Sequence, residues 1–520
     1  MAQFLTGLSV WTAALYLILR VYSTPSVAVY SAVYLITSSL YTVLFISWRT
    51  IARKRASVFK HLPKPKNGDI LFQHARAVFD EPIGVQLTEW LNSIPNNGLI
   101  HFYGLMASEY LLPTSPEAIA DIHLKHVADF EKTATFRHWT VEFLGHSLLT
   151  QERDVHKHRR PIFLSMMHPT RVEGMKPMMS SKVKQAIGHL QYKDTSGVAV
   201  RDWTGLVVID ITCYFAMGID LNMVNGENMD IHDVVSPILE GNPRQKANFR
   251  WHMGMPRIVR RWVPRKMDGE MKDAYAAYYA VMSRVISQRR EKSDGKDFLS
   301  EFLRSGQYTH EEAVSQLFVI LAGALENIAS VVSWTLYLLA THPHIQHTLR
   351  QDLLSNPGEQ TYDTLPLLHG VVNEALRLYT PLPMTVRKAI RDTTVCNQFV
   401  PQGTYVTTCA RAINRAHHLW GLDAESFNPE RWIDRSTPEK PKIDTLGGAT
   451  SSIAMLSFLY GTRSCPARPF SVPVARRLVA GVVEKFHIEY LGDKTPQPVG
   501  FVTSRPPVDL KLRLSCISPV

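Results

Sequence analysis

A glycine turn, a cation and a cysteine share one short run, Phe458-Leu459-Tyr460-Gly461-Thr462-Arg463-Ser464-Cys465, just before an apolar stretch. A lone cysteine is most often an inert buried residue. Here a neighbouring arginine and the start of a following helix both favour a thiolate, the form that ligates a soft metal centre. Two more runs set charge among apolar residues. Glu374 and Arg377 stand at i and i+3 within Asn373-Glu374-Ala375-Leu376-Arg377-Leu378, and Phe427-Asn428-Pro429-Glu430-Arg431-Trp432 places a charged pair between aromatics. Taken alone, an i,i+3 ion pair is a solvated surface feature worth a few tenths of a kcal/mol. The histidine pairs do not make a metal site. His342/His344 and His156/His158 stand at i,i+2, which does not put two ligands on one helix face, and His417-His418 lacks a third ligand at a recognisable spacing. Cys213, Cys396, Cys409 and Cys516 show no paired spacing and read as structural.

In this order and at these separations the three motifs resemble those of cytochrome P-450, the haem-thiolate monooxygenase family. Phe458, Gly461, Arg463 and Cys465 match its Phe-x-x-Gly-x-Arg-x-Cys loop. Glu374 and Arg377 match its Glu-x-x-Arg, and Arg431 the arginine that completes that triad. Gly323-Ala324-Leu325-Glu326 resembles the acidic segment of its oxygen-activating helix. His156 and Arg160, in His156-Lys157-His158-Arg159-Arg160, resemble the helix that contacts a haem propionate, and Arg387 falls where a further propionate-binding arginine is common. The resemblance covers essentially the whole chain. It implies Cys465 as axial ligand of haem iron, with His156, Arg160, Arg387 and Arg463 directed to haem carboxylates. It implies Glu326 and Asn327 at the position of proton delivery, and Glu374, Arg377 and Arg431 holding the fold around the cysteine loop. It further implies a distal pocket lined by residues 136–144 and by Leu325, Ile328, Met384 and Val386, suited to a lipophilic substrate such as a terpenoid, steroid or polyketide. Electrons would come from NADPH through a membrane-bound cytochrome reductase. The two-run N-terminus and Gly447-Gly448-Ala449-Thr450-Ser451-Ser452 are most similar to membrane-bound fungal enzymes, which implies secondary metabolite biosynthesis at the endoplasmic reticulum membrane.

The chain departs from the family pattern at four places. Asn327 stands where threonine is common, Ile328 where a second hydroxyl is frequent, Ala467 where glycine is usual, and Pro466, Pro469 and Pro473 follow the cysteine. Pro473 should kink or delay the next helix. These departures motivate a second reading, a haem-bearing membrane protein with little catalysis that serves as a binding or scaffold subunit. A membrane metal hydrolase, a third class, lacks a ligand set.

The elements that must position these residues are mostly helical. Thr309 and Glu312 form a capping-box pair ahead of an almost wholly apolar segment, residues 310–341, which His342-Pro343 ends. Such a helix runs through the middle of a large domain. Residues 365–379 read as another helix, with Pro366 in its first turn. Residues 99–114 suggest a hairpin around Gly104, and 393–395 and 405–408 read as strands separated by a Pro401-Gln402-Gly403 turn. The expected fold is mainly helical with a smaller sheet component, the cytochrome P-450 fold with an N-terminal transmembrane anchor.

That anchor is read from charge. Residues 1–19 carry no charged side chain, Arg20 interrupts, and no further charge appears until Arg49. Each run is long enough to cross a bilayer, with a turn at Tyr22-Ser23-Thr24-Pro25-Ser26. Arg49, Arg53, Lys54 and Arg55 follow, and clustered basic residues stay cytosolic, which puts the remaining chain in the cytosol. His61-Leu62-Pro63-Lys64-Pro65-Lys66 reads as a stiff hinge. The expected organisation is therefore an anchor of one or two spans over residues 1–48, a basic, proline-containing hinge over 49–66, and a catalytic domain over 67–520. Across the 520 residues, 57 Lys+Arg against 46 Asp+Glu give a net charge of +11. That balance fits an anionic membrane surface or an acidic protein partner, and no nucleic-acid motif accompanies it. Apolar residues at 45% exclude a disordered chain, and five cysteines in so long a chain exclude a disulfide framework.

Overall fold

A computed structural model describes residues 2–22, 27–66, 68, 73–191, 197–290, 297–437 and 440–517. The capping box forms as its sequence requires: the Thr309 side chain accepts the Glu312 N–H while Glu312 reaches back to the Thr309 N–H. The helix it starts, His310–Thr341, runs through the main core. It contains one π turn, Ala324–Ile328, closed by the Ala329 N–H on the Ala324 carbonyl. Around it pack the helices Val200–Met217, Pro169–Gln191, Pro366–Leu378 and Arg468–Lys485. Arg468–Lys485 begins without delay, with Pro469 in its first turn and Pro473 inside it. Proline costs little where the N–H has no helical partner, which explains Pro469. Pro473 does not stop the helix because its buried apolar face, including Val474, Leu478 and Val482, is held by the core.

The strands gather into a five-stranded sheet in the order Leu99–Tyr103, Glu109–Pro113, Tyr405–Thr408, Thr385–Ala389, Phe130–Lys132. The expected hairpin is its first pair, and Thr393–Val395 pairs instead with Gln398–Val400 in a small hairpin of its own. Thr385–Ala389 sits between two strands, so Lys132 lies directly opposite Arg387. Two cations face to face in a ladder repel. Something anionic must therefore lie beside this edge of the sheet.

At the N-terminus, helices Ala2–Tyr22 and Val27–Ala56 pack together, with Gly7 against Tyr41. The expected turn between them falls, after Tyr22, outside the described residues. Leu35, Ile36, Leu40, Val43 and Leu44 are exposed, and the apolar stretch of Val27–Ala56 is long enough to cross a membrane. The first helix has a shorter apolar stretch, Thr6–Ile18. The other helix of sufficient length and apolarity among the described residues is His310–Thr341, mostly buried as the core helix of the domain. Arg49 to Arg55 are the last turns of the second helix rather than a separate segment. Arg53 donates to the Met106 carbonyl at 2.9 Å and Lys54 to Gln73 at 2.8 Å, which ties the helix end to the domain. The proline-rich stretch is docked as well: Pro65 is buried, and the Pro63 carbonyl accepts the His101 N–H at 2.9 Å.

Candidate active site

The cysteine loop is shaped by two backbone choices. Gly461 has φ +71°, and a Cβ there would collide with the His123 carbonyl oxygen, so both conformation and close approach call for glycine. Leu459 also holds a left-handed φ of 55°, a strained value for a branched side chain. The Cys465 N–H on the Phe458 carbonyl, 2.8 Å, and the Ser464 N–H on the Gly461 carbonyl, 3.0 Å, close the loop. Cys465 then lies at the N-terminal end of Arg468–Lys485, where its sulfur accepts the N–H groups of Ala467 and Arg468. Burial pushes its thiol up, while those N–H groups and the nearby Arg160 guanidinium favour the thiolate. The side chain nonetheless keeps free surface, as a ligand facing an interior space would. The two departures beside it are accommodated. Ala467 has φ −85°, which any residue adopts, and Pro466 withholds no N–H from the sulfur because the donors are the two residues after it.

Next to this loop lies a cluster of buried cations. Arg463 donates to the Gln151 carbonyl at 2.9 Å and pairs with Glu152. Lys132 reaches the same Glu152 at 3.5 Å. Arg387 is 2% exposed, and its Nε and Nη1 have no hydrogen-bond partner among the described residues. Burial pushes Lys132 down to about 8 and Arg387 to about 10, each helped by its cationic neighbours. Burial, with Arg463, Lys132, Arg160 and Arg387 around it, pushes His156 to about 3, so it is a neutral donor or acceptor. Glu152 is the carboxylate bonded within this cluster, and nearby Glu131 is held by Arg137 and Arg153, so a surplus of positive charge with orphaned N–H groups remains. The two carboxylates of a haem would fill that deficit, so the residues fit the group.

Of the residues predicted from sequence, His156, Arg387 and Arg463 meet in this cluster. Arg160 lies beside it but spends its bonds on Ser464, at 2.8 Å to the carbonyl and 3.1 Å to Oγ. It steadies the residue before Cys465. Lys132 and Glu152 are members that sequence reasoning missed. Glu152 left a trace, an acid just before the basic run 153–160, whereas Lys132 enters only through strand pairing with Arg387. His123 was missed too; it is buried, bonds Thr408 at 3.0 Å, and burial together with Arg387 pushes it to about 3.

The central helix turns differently from a regular 3.6-residue pattern, because a π turn adds a residue and rotates the residues beyond it. Leu325, expected at the pocket, points to Gly205 on the neighbouring helix, and Ile328 is 5% exposed within the main core. Val319, Ile320, Ala322, Gly323, Leu325 and Asn327 are the partly covered residues of this stretch. The Glu326 carboxylate is bound at both oxygens, by Arg505 and Thr503. The Asn327 Oδ1 is buried without a partner among the described residues.

Glu374 and Arg377 are not on the surface: both are fully buried. Glu374 accepts Arg377 Nη2 at 2.7 Å and Nε at 2.8 Å, Arg431 Nε at 3.0 Å, Trp432 Nε1 at 2.9 Å and the Asn428 N–H at 3.1 Å. Arg377 also donates to the carbonyls of Asn414, Ala424 and Ser426. Gly370, on the same helix, lets the Pro429 carbonyl approach closer than any Cβ would allow. That contact presses the Pro429–Trp432 turn onto the helix and brings Arg431 to Glu374.

A helical domain with a cysteine at a helix N-terminus, a strained glycine loop and a buried cradle for two carboxylates defines a haem-thiolate oxidoreductase. The comparisons agree: residues 100–512 match the family model for cytochrome P-450, and the chain belongs to that family. Cytochrome P-450 monooxygenase ptmK of Penicillium ochrochloron is 31% identical, covering 88% of this chain and 94% of the relative. Cytochrome P-450 monooxygenase sphH of Aspergillus fumigatus is 27% identical over 85% of each chain. Among solved structures, retinoic acid-bound cyanobacterial CYP120A1 has the same fold, with a TM-score of 0.71 at 20% identity, over 88% of this chain and 100% of that one. The chain is thus a haem-thiolate monooxygenase, which uses a redox-partner reductase and a small-molecule substrate. The scaffold reading is not favoured by relatives that are monooxygenases over nearly their full length.

Proposed function

We propose that this enzyme inserts one oxygen atom from O2 into a lipophilic small molecule of fungal secondary metabolism, with electrons from NADPH through a membrane-bound cytochrome reductase. Cys465 is the proposed iron ligand. The observation that carries it is the sulfur at a helix N-terminus, bonded by two N–H groups and neighboured by a cationic cradle short of anions. Bound haem supplies oxygen activation, with thiolate donation favouring O–O cleavage. The protein's own residues do the rest. Arg387, Arg463, Lys132 and His156 orient the carboxylates, and Glu152 limits the repulsion among them. Arg160 fixes Ser464 and so the aim of the sulfur. Glu374, Arg377 and Arg431 brace the segment 414–426 through the carbonyls of Asn414, Ala424 and Ser426, and Asn414 in turn holds Leu456 and Ser457 just before the cysteine loop. The exposed apolar faces of Ala2–Tyr22 and Val27–Ala56 support an anchor in the endoplasmic reticulum membrane, with the catalytic domain on the cytosolic side where the basic residues lie. The test is the spectrum of the reduced, carbon-monoxide-bound protein, followed by product formation with a reductase. A thiolate-type Soret band with product supports the proposal; a missing band refutes the ligand, and a band without product refutes the activity.

A further inference from the structure

Neither residue after Glu326 on the central helix, Asn327 or Ile328, carries a hydroxyl, and the Ser330 hydroxyl one turn on is spent on the Glu326 backbone carbonyl at 2.5 Å. The hydroxyl that meets Glu326 comes from far along the chain. Thr503 Oγ1 donates to Glu326 Oε2 at 2.6 Å, while Arg505 Nη1 donates to Oε1 at 2.5 Å. Both belong to a loop closed by reciprocal backbone bonds between Val499 and Arg505, at 2.9 and 3.0 Å. The Ser504 N–H on the Pro381 carbonyl, 2.7 Å, pins the loop's middle. Arg505 is 3% exposed and also donates to the carbonyls of Leu239 and Glu240, at the C-terminal end of helix Asp230–Leu239, where carbonyls have no helical partner. Thr503 is therefore held in place from several sides while remaining only partly covered. Two residues earlier, Phe501 packs against Trp139 and Phe249, with ring centroids 6.1 and 5.1 Å apart. Glu326 itself lies in the π turn, a distortion that often marks functional positions.

A hydroxyl accepts and donates a proton at once, whereas the Asn327 carboxamide is not a ready relay at neutral pH. We propose that Thr503 and Glu326 form an acid–hydroxyl pair assembled from two segments, in which Thr503 takes the proton-relay part that no hydroxyl of the central helix fills. The proposal rests on the monooxygenase reading above. The step balances. One proton is taken up by the Glu326 carboxylate, which is itself buried. The Thr503 hydroxyl, which donates to Oε2 in the resting arrangement, then turns, accepts the proton from the carboxyl and releases its own O–H proton on its partly covered side. Glu326 returns to the carboxylate, Arg505 keeps its charge, and the net transfer is one proton from Glu326 to the far side of Thr503.

The experiment uses the full chain with haem, a reductase and the substrate that gives product. Thr503→Val removes the hydroxyl at nearly constant shape, and Thr503→Ser retains it. The expected result is that Val lowers product per NADPH by about tenfold, a small share of a general-acid effect, with peroxide rising to match. Ser should restore coupling, and both should keep the wild-type melting temperature and reduced carbon-monoxide spectrum. Infrared difference spectra of the resting protein give a readout independent of turnover: Val against wild type should shift one carboxylate band, and the shift should vanish in a Glu326→Gln background. Unchanged coupling in Val, or Ser failing to rescue, overturns the relay. No carboxylate shift overturns the pair itself. A wild type that shows the thiolate spectrum and no product overturns the underlying activity instead, and the infrared arm still decides whether the pair exists.

Discussion

Replacing Glu374 with glutamine tests the buried triad, because the substitution keeps the shape and removes one charge. Glu374 and Arg377 are both fully buried, and Arg431 bonds the same carboxylate. In glutamine one oxygen remains for donors that now meet at both Glu374 oxygens: Arg377, Arg431 and Asn428 at Oε1, Trp432 and Arg377 at Oε2. Arg431 keeps Asp423 at 2.7 Å, but Arg377 has no second carboxylate among the described residues and is left with carbonyls. Removing one partner of a buried pair costs about 3–5 kcal/mol. Set against a total stability of about 5–15 kcal/mol, that is about a fifth of the margin at the least. The assay is the urea concentration at which the thiolate-type carbon-monoxide spectrum is half lost. Glu374→Gln should lower that midpoint markedly while the spectrum's position in the absence of urea stays put, since Glu374 supports the loop and does not face the ligand. A midpoint equal to wild type would refute the argument that this carboxylate holds the fold.

Lys132 gives a pH signature. Burial holds it at about 8 in the folded chain against its ordinary 10.5, so between these values the unfolded chain binds the extra proton and haem-free stability rises with pH. Comparing wild type with Lys132→Met in denaturant at pH 8 and pH 10.5 should expose a rise of about 3 kcal/mol that only wild type shows; identical slopes would remove Lys132 from the cradle. Cys465→Ser should lose the thiolate-type spectrum, because a neutral hydroxyl donates far less charge to iron, and retention of that spectrum would refute the ligand. Deleting residues 1–48 should release much of the protein from membranes in a flotation assay, and full solubility of the intact chain would contradict the anchor. Pro466→Ile should leave the reduction potential unchanged, because the sulfur's donors are Ala467 and Arg468; a rise would mean that residue 466 also reaches the sulfur.

Local spacing carried the parts that were legible in the sequence. The cysteine loop is contiguous, the capping box spans Thr309 to Glu312, and Glu374 and Arg377 share one helix face, so each could be read without knowing the fold. Burial of the Glu374 pair was less visible than its existence, since i,i+3 spacing is the same on a surface. The illegible parts depend on distant segments or on a break in periodicity. Thr503 and Glu326 are 177 positions apart, and no local pattern pairs them. Lys132 joins Arg387 only once strand order is known. The family resemblance puts Leu325 and Ile328 at the pocket; the structure buries Ile328 in the core, while Leu325 stays partly covered with its side chain against Gly205.

The two buried charge clusters divide the labour between folding and binding. In the Glu374 cluster, Arg377 reaches one carboxylate and three carbonyls and Arg431 reaches two carboxylates, so this region is satisfied by the chain alone. Around Glu152 the balance is different. Lys132 and Arg463 share one carboxylate, Arg387 lies opposite Lys132 with two nitrogens unbonded among the described residues, and His156 is forced neutral. Buried like charges raise the energy of the folded chain, and an anionic ligand that binds only the folded state recovers it. Haem binding should therefore stabilise this fold chiefly through the cradle, whereas the triad keeps the cysteine loop in place before any ligand arrives. The same division explains the chain's departures. Asn327, Pro466 and Ala467 lie outside both clusters, where a substitution alters no buried charge, and the proposed Thr503–Glu326 pair would meet the function that a missing hydroxyl at residue 327 costs.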